Sequence, residues 1–472
     1  MYLTTTDTTS RPLSSTRDGA EDITFAVEIK SIVPIELSKT DLLPHEDMRP
    51  FVPHRPKESL ESMTESEKQI QMSTHESIAS ALNSLPGVNA TTNHHIQELK
   101  LGRSDYWKTH WIVYKANSAV PDFVSYADGD DQRPVMDEQA AGYNKHVWVP
   151  VELCSPKMFW IGKQEAVAGI GSVCRMLQDR FNAVANHSTE VHVHVGRHDG
   201  QFYSLRSMKK LATVLWLAEP ILRGLKDPNS RNFDHTFTWG FPWRKHSRIA
   251  LALQGRLPGV GDLGQQTIDD LATGPEDEFN TFLARANNAR VTGDGAIGGG
   301  NGTGIGEVDK LRFADEHRLA LRAIWRASTH AELGRMLSGI EPKHRRLGFN
   351  FHALGGEDER ARSSPRTVEF RFLEGCIDEG VVAGWVHVCV ALAKLATDQV
   401  EDWEFYDMVV LLLVMPADWS LDAKFVAVMH ELGVDSAAYE PLRAIVRRNY
   451  PPRDGTDGVI GVVEDGDSGL TM

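Results

Sequence analysis

Two histidines at alternating positions mark a candidate site for a metal ion or a phosphate. The run from Val191 to Gly196 reads V-H-V-H-V-G, in which valines alternate with histidines. This alternation is typical of a β-strand, so His192 and His194 share one face while the valines face the packed core. Neutral imidazole nitrogens placed this way can bind a metal ion or flank a metal-bound phosphate. The alternative is a half-buried strand whose polar face carries two histidines.

A second predicted strand carries a carboxylate and a guanidinium on one face. In the run from Thr367 to Gly375, apolar residues alternate with polar ones, which places Glu369 and Arg371 side by side. The carboxylate could bind a metal ion while the guanidinium stabilises a transferring phosphoryl group. A cross-strand ion pair on a solvated face is the alternative. The flanking aromatic residues Phe370 and Phe372 favour a buried sheet, in which charges need partners.

Two further glutamates interrupt apolar strands. Glu28 lies within the predicted strand 23–33, on the same face as Lys30, and Glu152 lies within the predicted strand 146–153. Glutamate is disfavoured in strands, and a buried carboxylate needs a cation. The four strands together supply an oxygen-rich set, which suits magnesium or manganese better than a closed structural zinc site. The members of this set are Glu28, Glu152, His192, His194, Glu369 and Arg371.

Five motifs in order resemble those of the amidoligase family, within the glutamine synthetase-like carboxylate-amine ligase superfamily. The motifs are V-E-I, V-E-L-C-S-P, V-H-V-H-V-G, G-F-N-F and T-V-E-F-R-F-L-E-G. The likeness runs from about residue 23 to about residue 400. It implies an antiparallel curved sheet whose concave face binds ATP and two or more divalent ions, Mg or Mn. It also implies an acyl-phosphate intermediate that joins a carboxylate to an amine on a small-molecule or peptide substrate.

The resemblance also assigns roles to individual residues. It implies that Glu369 and Arg371 are catalytic, with Arg371 stabilising charge on the departing γ-phosphate. The implied metal ligands are Glu28, Glu152, His192 and Glu369. The resemblance also implies that one of His192 and His194 is a metal ligand or a phosphate contact. The predicted cofactor-binding residues are Lys30, His192, His194, Asn350 and Arg371.

The first strand departs from the family pattern. The family usually has E-x-E there, whereas this chain has Glu28-Ile29-Lys30. An ammonium therefore stands where a second carboxylate would help to hold metal. Lys30 could contact phosphate directly, or it could mark a member with weakened catalysis, and the sequence leaves both readings open.

Composition narrows the class of protein. The chain has 472 residues, with 65 acidic against 50 basic residues and a net charge of -15, which argues against a nucleic-acid or anionic-membrane binder. Its four cysteines form no C-x-x-C motif, which is typical of reduced thiols in a cytosolic protein. No run approaches the roughly 20 apolar residues that cross a bilayer, and the N-terminus lacks the apolar core of a secretory signal. We therefore expect a cytoplasmic location and no membrane partner.

The predicted fold class is α+β, an antiparallel sheet flanked by helices. We expect a disordered tail over 1–22, a catalytic domain over 23–400, a helical extension over 401–453 and an acidic disordered tail over 454–472. A glycine-rich flexible insertion is expected at 288–308. Further strands are predicted at 107–114 and 345–354, with a loop over 126–146 between strands. Helices are predicted at 59–85, 162–181, 204–224 and 380–397, with two or three more after 401.

Two alternatives to a ligase stay open. One is a zinc-dependent hydrolase in which His192 and His194 bind the metal and a glutamate activates water. The other is a catalytically silent nucleotide-binding member of the fold, with turnover lost through Lys30. The sequence leaves the substrate and the oligomeric state open, with a monomer and a small oligomer both allowed.

Overall fold

The computed structural model describes most of the predicted catalytic region. The described residues are 23–36, 65–99, 106–119, 124–126, 134–136, 146–161, 163–230, 233, 242–259, 266–289, 314–340, 347–355, 366–397 and 402–451. Both predicted tails and residues 290–308 of the predicted glycine-rich insertion lie outside this set.

Ten strands are described. They are β1 Ile23–Glu36, β2 Ala90–Thr92, β3 Trp111–Tyr114, β4 Val124–Tyr126, β5 Pro134–Met136, β6 His146–Cys154, β7 Met158–Phe159, β8 Glu190–Arg197, β9 Phe349–Asn350 and β10 Thr367–Glu374. Eight strands form one sheet in the order β2-β3-β6-β1-β8-β10-β9, with β7 also paired to β1. Only β2 and β3 pair in parallel among these strands, so the sheet is mostly antiparallel, as predicted.

Fourteen α-helices are described around this sheet. They are α1 Glu65–Asn83, α2 Asn93–Glu98, α3 Lys163–Phe181, α4 Leu205–Leu222, α5 Trp243–His246, α6 Arg248–Leu253, α7 Asp277–Asn288, α8 Asp315–Arg326, α9 His330–Met336, α10 His352–Gly355, α11 Glu379–Ala396, α12 Asp402–Val414, α13 Leu421–Glu431 and α14 Ser436–Asn449. Two 3₁₀ turns, Arg223–Leu225 and Ile268–Asp270, complete the described helical structure.

One face of the central strands is apolar because alternate residues of each strand are branched or aromatic. The buried members are Ile23, Phe25, Val27, Ile29, Val149, Val151, Leu153, Val191, Val193, Val195, Val368, Phe370 and Phe372. They form one core with apolar residues of α3, α4 and α11. Trp385 of α11, for example, packs edge-on to Phe370 with ring centroids 6.4 Å apart. Burial of each such side chain contributes about 1.5–3 kcal/mol to the stability of the fold. The alternation therefore decides which face of the sheet packs into this core.

Local signals set the ends of the long helix that packs behind β8. Ser204 is the N-cap of α4, and its side chain accepts a hydrogen bond from the Ser207 amide at 3.1 Å. This is the N-cap that the sequence predicts. The helix ends at Leu222 and continues as the 3₁₀ turn Arg223–Leu225 before Asp227.

The C-terminal helices share the core of the sheet. Phe405 of α12, Phe425 of α13 and Leu442 of α14 are fully buried and belong to the same hydrophobic cluster as the strands. Among the described residues, α11 is the one helix long and apolar enough to cross a membrane. Since 67% of it is buried inside the fold, it has the environment of a core helix.

Three predicted elements differ from the structure. The strand predicted at 107–114 begins only at Trp111, after a turn. The strand predicted at 345–354 is reduced to β9, because the chain turns into α10 at His352 after pairing with β10 over two residues. The loop predicted over 126–146 contains β5, which pairs with β4 as a short antiparallel hairpin.

Candidate functional site

The face of the sheet opposite the apolar core carries the candidate site. We call it the polar face and define it by Glu28, Lys30, Glu152, Glu190, His192, His194, Glu369 and Arg371. These residues occupy the alternate positions of β1, β6, β8 and β10, so the same period that places the valines in the core places them on the opposite face of the sheet. Strand register then aligns them: Glu28 lies opposite His192, and Glu369 lies opposite His194.

Three of the predicted metal ligands come together on the polar face. One ligand atom from each of Glu28, His192 and Glu369 lies within 4.8 Å of the others. His192 Nδ1 is 2.9 Å from Glu28 Oε2 and 3.3 Å from Glu369 Oε1. Adjacent ligand atoms on an octahedral ion with bonds of about 2.1 Å are about 3 Å apart. The spacing therefore fits a small divalent cation.

The charges of the polar face also fit a divalent cation. Leaving the histidines aside, its four carboxylates outnumber its two permanent cations by two. The carboxylates are Glu28, Glu152, Glu190 and Glu369, and the cations are Lys30 and Arg371. Buried charge without a counter-charge is costly, and one divalent ion would balance this excess.

Glu369 is held on both of its oxygens. Arg371 Nη1 donates to Oε1 at 2.5 Å, and Asn350 Nδ2 donates to Oε2 at 2.6 Å. Burial raises the pKa of Glu369, but the charges of Arg371 and the two histidines outweigh this and hold the pKa well below its usual range. Glu369 is therefore an ionised, oriented carboxylate, as metal binding requires.

Lys30 is buried in an ion pair. Its Nζ lies 2.9 Å from Glu190 Oε2, and the exposed fractions of the two side chains are 9% and 1%. Burial lowers the pKa of Lys30, but the charges of Glu190 and Glu152 outweigh burial and raise the pKa above its ordinary value. The ammonium therefore stays charged. The partner of Lys30 in the structure is thus a carboxylate of the protein, and cofactor binding by Lys30 stays a prediction.

Glu190 belongs to the site although the sequence motifs do not include it. Its Oε2 accepts from Lys30 Nζ at 2.9 Å and from His192 Nε2 at 2.7 Å, and Arg371 Nη2 lies 3.5 Å away. Burial raises its pKa, but Lys30, His192 and Arg371 together hold it down at about 2. The signal was present, because Glu190 continues the alternation of His192 and His194 by one step upstream.

Glu152 does not join His192 and Glu369. Instead it groups with Glu28 and Cys154, whose ligand atoms also lie within 4.8 Å of one another. Burial and the charge of Glu28 raise the pKa of Glu152, against the opposing effect of Lys30. Glu28 thus belongs to two candidate metal groups, and the second one includes a thiol that was not among the predicted ligands.

His194 lies at the more open side of the site. Its Nε2 is 3.0 Å from Glu28 Oε1, and its Nδ1 is 3.1 Å from Thr367 Oγ1. Burial lowers the pKa of His194, but Glu28 and Glu369 raise it above its ordinary value. The pKa of Glu28 shifts in the opposite direction. The nearby histidines outweigh the effect of burial and hold this pKa well below its usual range.

Fold and site define an α+β protein with a candidate divalent-cation centre on one face of a mostly antiparallel sheet. Residues 73–239 are similar to a family whose model is described as "putative amidoligase enzyme". The matched segment includes Glu152, Glu190 and both histidines, but neither Glu28 nor Glu369. The match points to a ligase-type function. Comparisons with curated proteins and with solved structures found no match.

Proposed function

We propose that the protein is an ATP-dependent carboxylate-amine ligase of the glutamine synthetase-like superfamily, which uses Mg or Mn to form an amide or isopeptide bond. The observation that carries the proposal is the grouping of Glu28, His192 and Glu369 within 4.8 Å beside Arg371 on one sheet face. The similarity of residues 73–239 to amidoligases supports the same chemistry. The substrate is a small molecule or peptide that carries a carboxylate and an amine.

The chain offers two positions for divalent ions. Glu28, His192 and Glu369 would hold one Mg or Mn ion, and Glu28, Glu152 and Cys154 mark a second position, which the thiol makes better suited to an ion softer than Mg. An ion held by these residues would supply positive charge to neutralise the nucleotide phosphates.

Arg371 would stabilise the charge that develops on the transferring phosphoryl group. Its Nη1 and Nη2 face Glu369 and Glu190, while its buried Nε has no hydrogen-bond partner among the described residues. A substrate carboxylate oxygen would attack the γ-phosphorus as the bond to ADP breaks. The amine nitrogen would then attack the acyl carbon and lose a proton, and phosphate would leave. His194 lies where nucleotide or substrate could reach it, since its side chain is 16% exposed.

Trapping with hydroxylamine tests this proposal without knowledge of the natural amine. The protein is incubated with ATP, Mn²⁺, hydroxylamine and a panel of amino-acid and peptide carboxylates. We expect hydroxamate and inorganic phosphate in equal amounts, and neither product without ATP. The variant Glu369→Gln should lower both by more than about 100-fold, because it removes one charged ligand and the partner of Arg371. The exposed control Glu165→Gln should leave both unchanged.

Other outcomes would contradict the ligase. Zinc-stimulated hydrolysis that needs no ATP would indicate the hydrolase. Nucleotide binding without phosphate release across the whole panel would indicate a silent member of the fold.

A further inference from the structure

We propose that Glu190 is the positioning residue for His192, and that Lys30 is the charge partner that keeps Glu190 buried. The inference rests on the metal site of the proposed function. It gives a role to a glutamate that the motif pattern does not include. It also gives Lys30 a structural role, in place of contact with phosphate or of weakened catalysis through a lost metal ligand.

The contacts of Glu190 show why it acts through His192. Glu190 is 1% exposed, and its Oε2 lies 2.7 Å from His192 Nε2. With Lys30 and Arg371 also facing Oε2, the carboxylate is ionised and only accepts hydrogen bonds. This contact to Nε2 holds the His192 ring in one orientation.

The orientation set at Nε2 points the other ring nitrogen toward two carboxylates. His192 Nδ1 faces Glu28 Oε2 at 2.9 Å and Glu369 Oε1 at 3.3 Å, and both of these carboxylates are acceptors as well. A divalent ion bound at this position would contact these three atoms. A carboxylate, a histidine and a metal ion in line form a recurrent arrangement, in which the carboxylate fixes the tautomer and the orientation of the ring.

Lys30 accounts for how a fourth carboxylate can be buried here. Its Nζ is 2.9 Å from Glu190 Oε2, and in the strand register it lies directly opposite Glu152. The second oxygen of Glu190, Oε1, is buried without a hydrogen-bond partner among the described residues. A buried oxygen without a partner is costly, so the contacts that hold this carboxylate in place are those of Oε2.

A pair of double variants tests the role of Glu190. Removing one member of a buried ion pair would leave the other charge uncompensated and destabilise the fold, so both charges are removed together. Lys30→Met with Glu190→Leu leaves no acceptor for His192 Nε2. Lys30→Met with Glu190→Gln has the same charge but keeps a side-chain oxygen at that position. The two proteins thus differ only in the group that orients the ring.

The measurement is the Kd for Mn²⁺ alone, obtained from electron paramagnetic resonance of the free ion, with thermal unfolding as a check of folding. We expect the leucine variant to bind Mn²⁺ about 10–100-fold more weakly than the unaltered chain. The glutamine variant should stay within about threefold of the unaltered chain, because its amide oxygen still accepts from Nε2.

The outcomes separate this inference from the proposed function. Equal Mn²⁺ affinity in the two double variants would overturn the role of Glu190 while leaving the metal site intact. Absence of Mn²⁺ binding in the unaltered chain would overturn the proposed metal site together with the inference.

Discussion

Arg371 links two carboxylates on neighbouring strands. Its Nη1 donates to Glu369 at 2.5 Å, and its Nη2 faces Glu190 at 3.5 Å. Burial lowers the pKa of Arg371, but Glu369, Glu190 and Glu28 raise it above its ordinary value. A guanidinium can serve both carboxylates and still present Nε–H to a phosphoryl oxygen, because its donors are fixed in one plane.

Arg371→Lys tests whether this fork geometry matters. A lysine keeps the charge but offers a single ammonium, which cannot reach both carboxylates and a phosphoryl oxygen at once. We expect phosphate release with ATP, Mn²⁺ and hydroxylamine to fall by about 1000-fold, as for other arginines that stabilise phosphoryl transfer. The matched control is Arg175→Lys, at an exposed ion pair with Glu379, which should leave the rate unchanged. Retention of more than a tenth of the activity in Arg371→Lys would show that Arg371 supplies charge alone.

Single residues of the site differ in how far the sequence could predict them. Glu28, His192 and Glu369 were predictable as one face, because each interrupts an alternating apolar run. Glu190 lies in the same run but at its first position, where a strand boundary is hardest to place. The pairing of Lys30 with Glu190 depends on strand order, which no local pattern contains.

At the scale of elements, α1 meets β6 through a buried histidine. His75 of α1 hydrogen-bonds the Pro150 carbonyl, and its Nε2 has no hydrogen-bond partner among the described residues. Burial, the largest effect, lowers its pKa from 6.5 to about 4, and the charge of Lys115 acts in the same direction. In the unfolded chain His75 therefore binds a proton near pH 6.5, whereas in the folded chain it binds one only near pH 4.

This difference predicts a specific loss of stability in acid. Between pH 6.5 and pH 4 the unfolded state binds more protons at His75, so acidification favours unfolding by about 3 kcal/mol. His75→Gln keeps an N–H donor for Pro150 but does not titrate. Its free energy of unfolding should fall less over that window, as measured by urea unfolding at several pH values. The exposed control His430→Gln should show the same pH dependence as the unaltered chain. If the free energy of unfolding of His75→Gln falls as steeply with pH as that of the unaltered chain, the role of His75 is refuted.

The contact between α11 and α14 depends on a glycine. A Cβ at Gly384 would lie 2.3 Å from the Ala438 carbonyl oxygen, which is part of the backbone and cannot rotate away. Gly384→Ala should therefore force the two helices apart and lower the free energy of unfolding by about 1–3 kcal/mol. Gly169→Ala in α3 is the matched control, since nothing lies within 4 Å of its Cβ position. The control should stabilise the protein by about 0.5–1 kcal/mol through helix propensity. Equal effects of the two changes in denaturant unfolding would contradict the close approach.

Elements were predictable where one periodicity persisted. The strands around Val193 and Phe370 and the helix after Ser204 follow unbroken patterns, and their bounds differ from the predictions by a residue or two. The strand predicted at 345–354 failed because Phe349 and Phe351 have strand spacing, yet only two residues pair with β10 before the chain turns. Tertiary packing decided that segment, since Trp243 donates to the Phe349 carbonyl and packs against both rings.

At the scale of the whole molecule, the sheet divides apolar packing from charge. Helices α3, α4 and α11 to α14 share one hydrophobic core with one face of the strands. The opposite face concentrates an excess of negative charge. The sequence predicted a mostly antiparallel α+β architecture and the charged residues that share this face, but not how the helices after residue 401 join the core. Amphipathic helices show which side is buried but not which element covers it.

The central claim is that Glu28, His192 and Glu369 bind one divalent ion. The most direct test is a crystal structure of the protein soaked with Mn²⁺, analysed by an anomalous difference map at the manganese absorption edge. The account predicts a peak bonded to one oxygen of Glu28, one oxygen of Glu369 and His192 Nδ1, at about 2.0–2.3 Å from each. A map with no peak among these three residues, or with manganese bound only elsewhere, would contradict it.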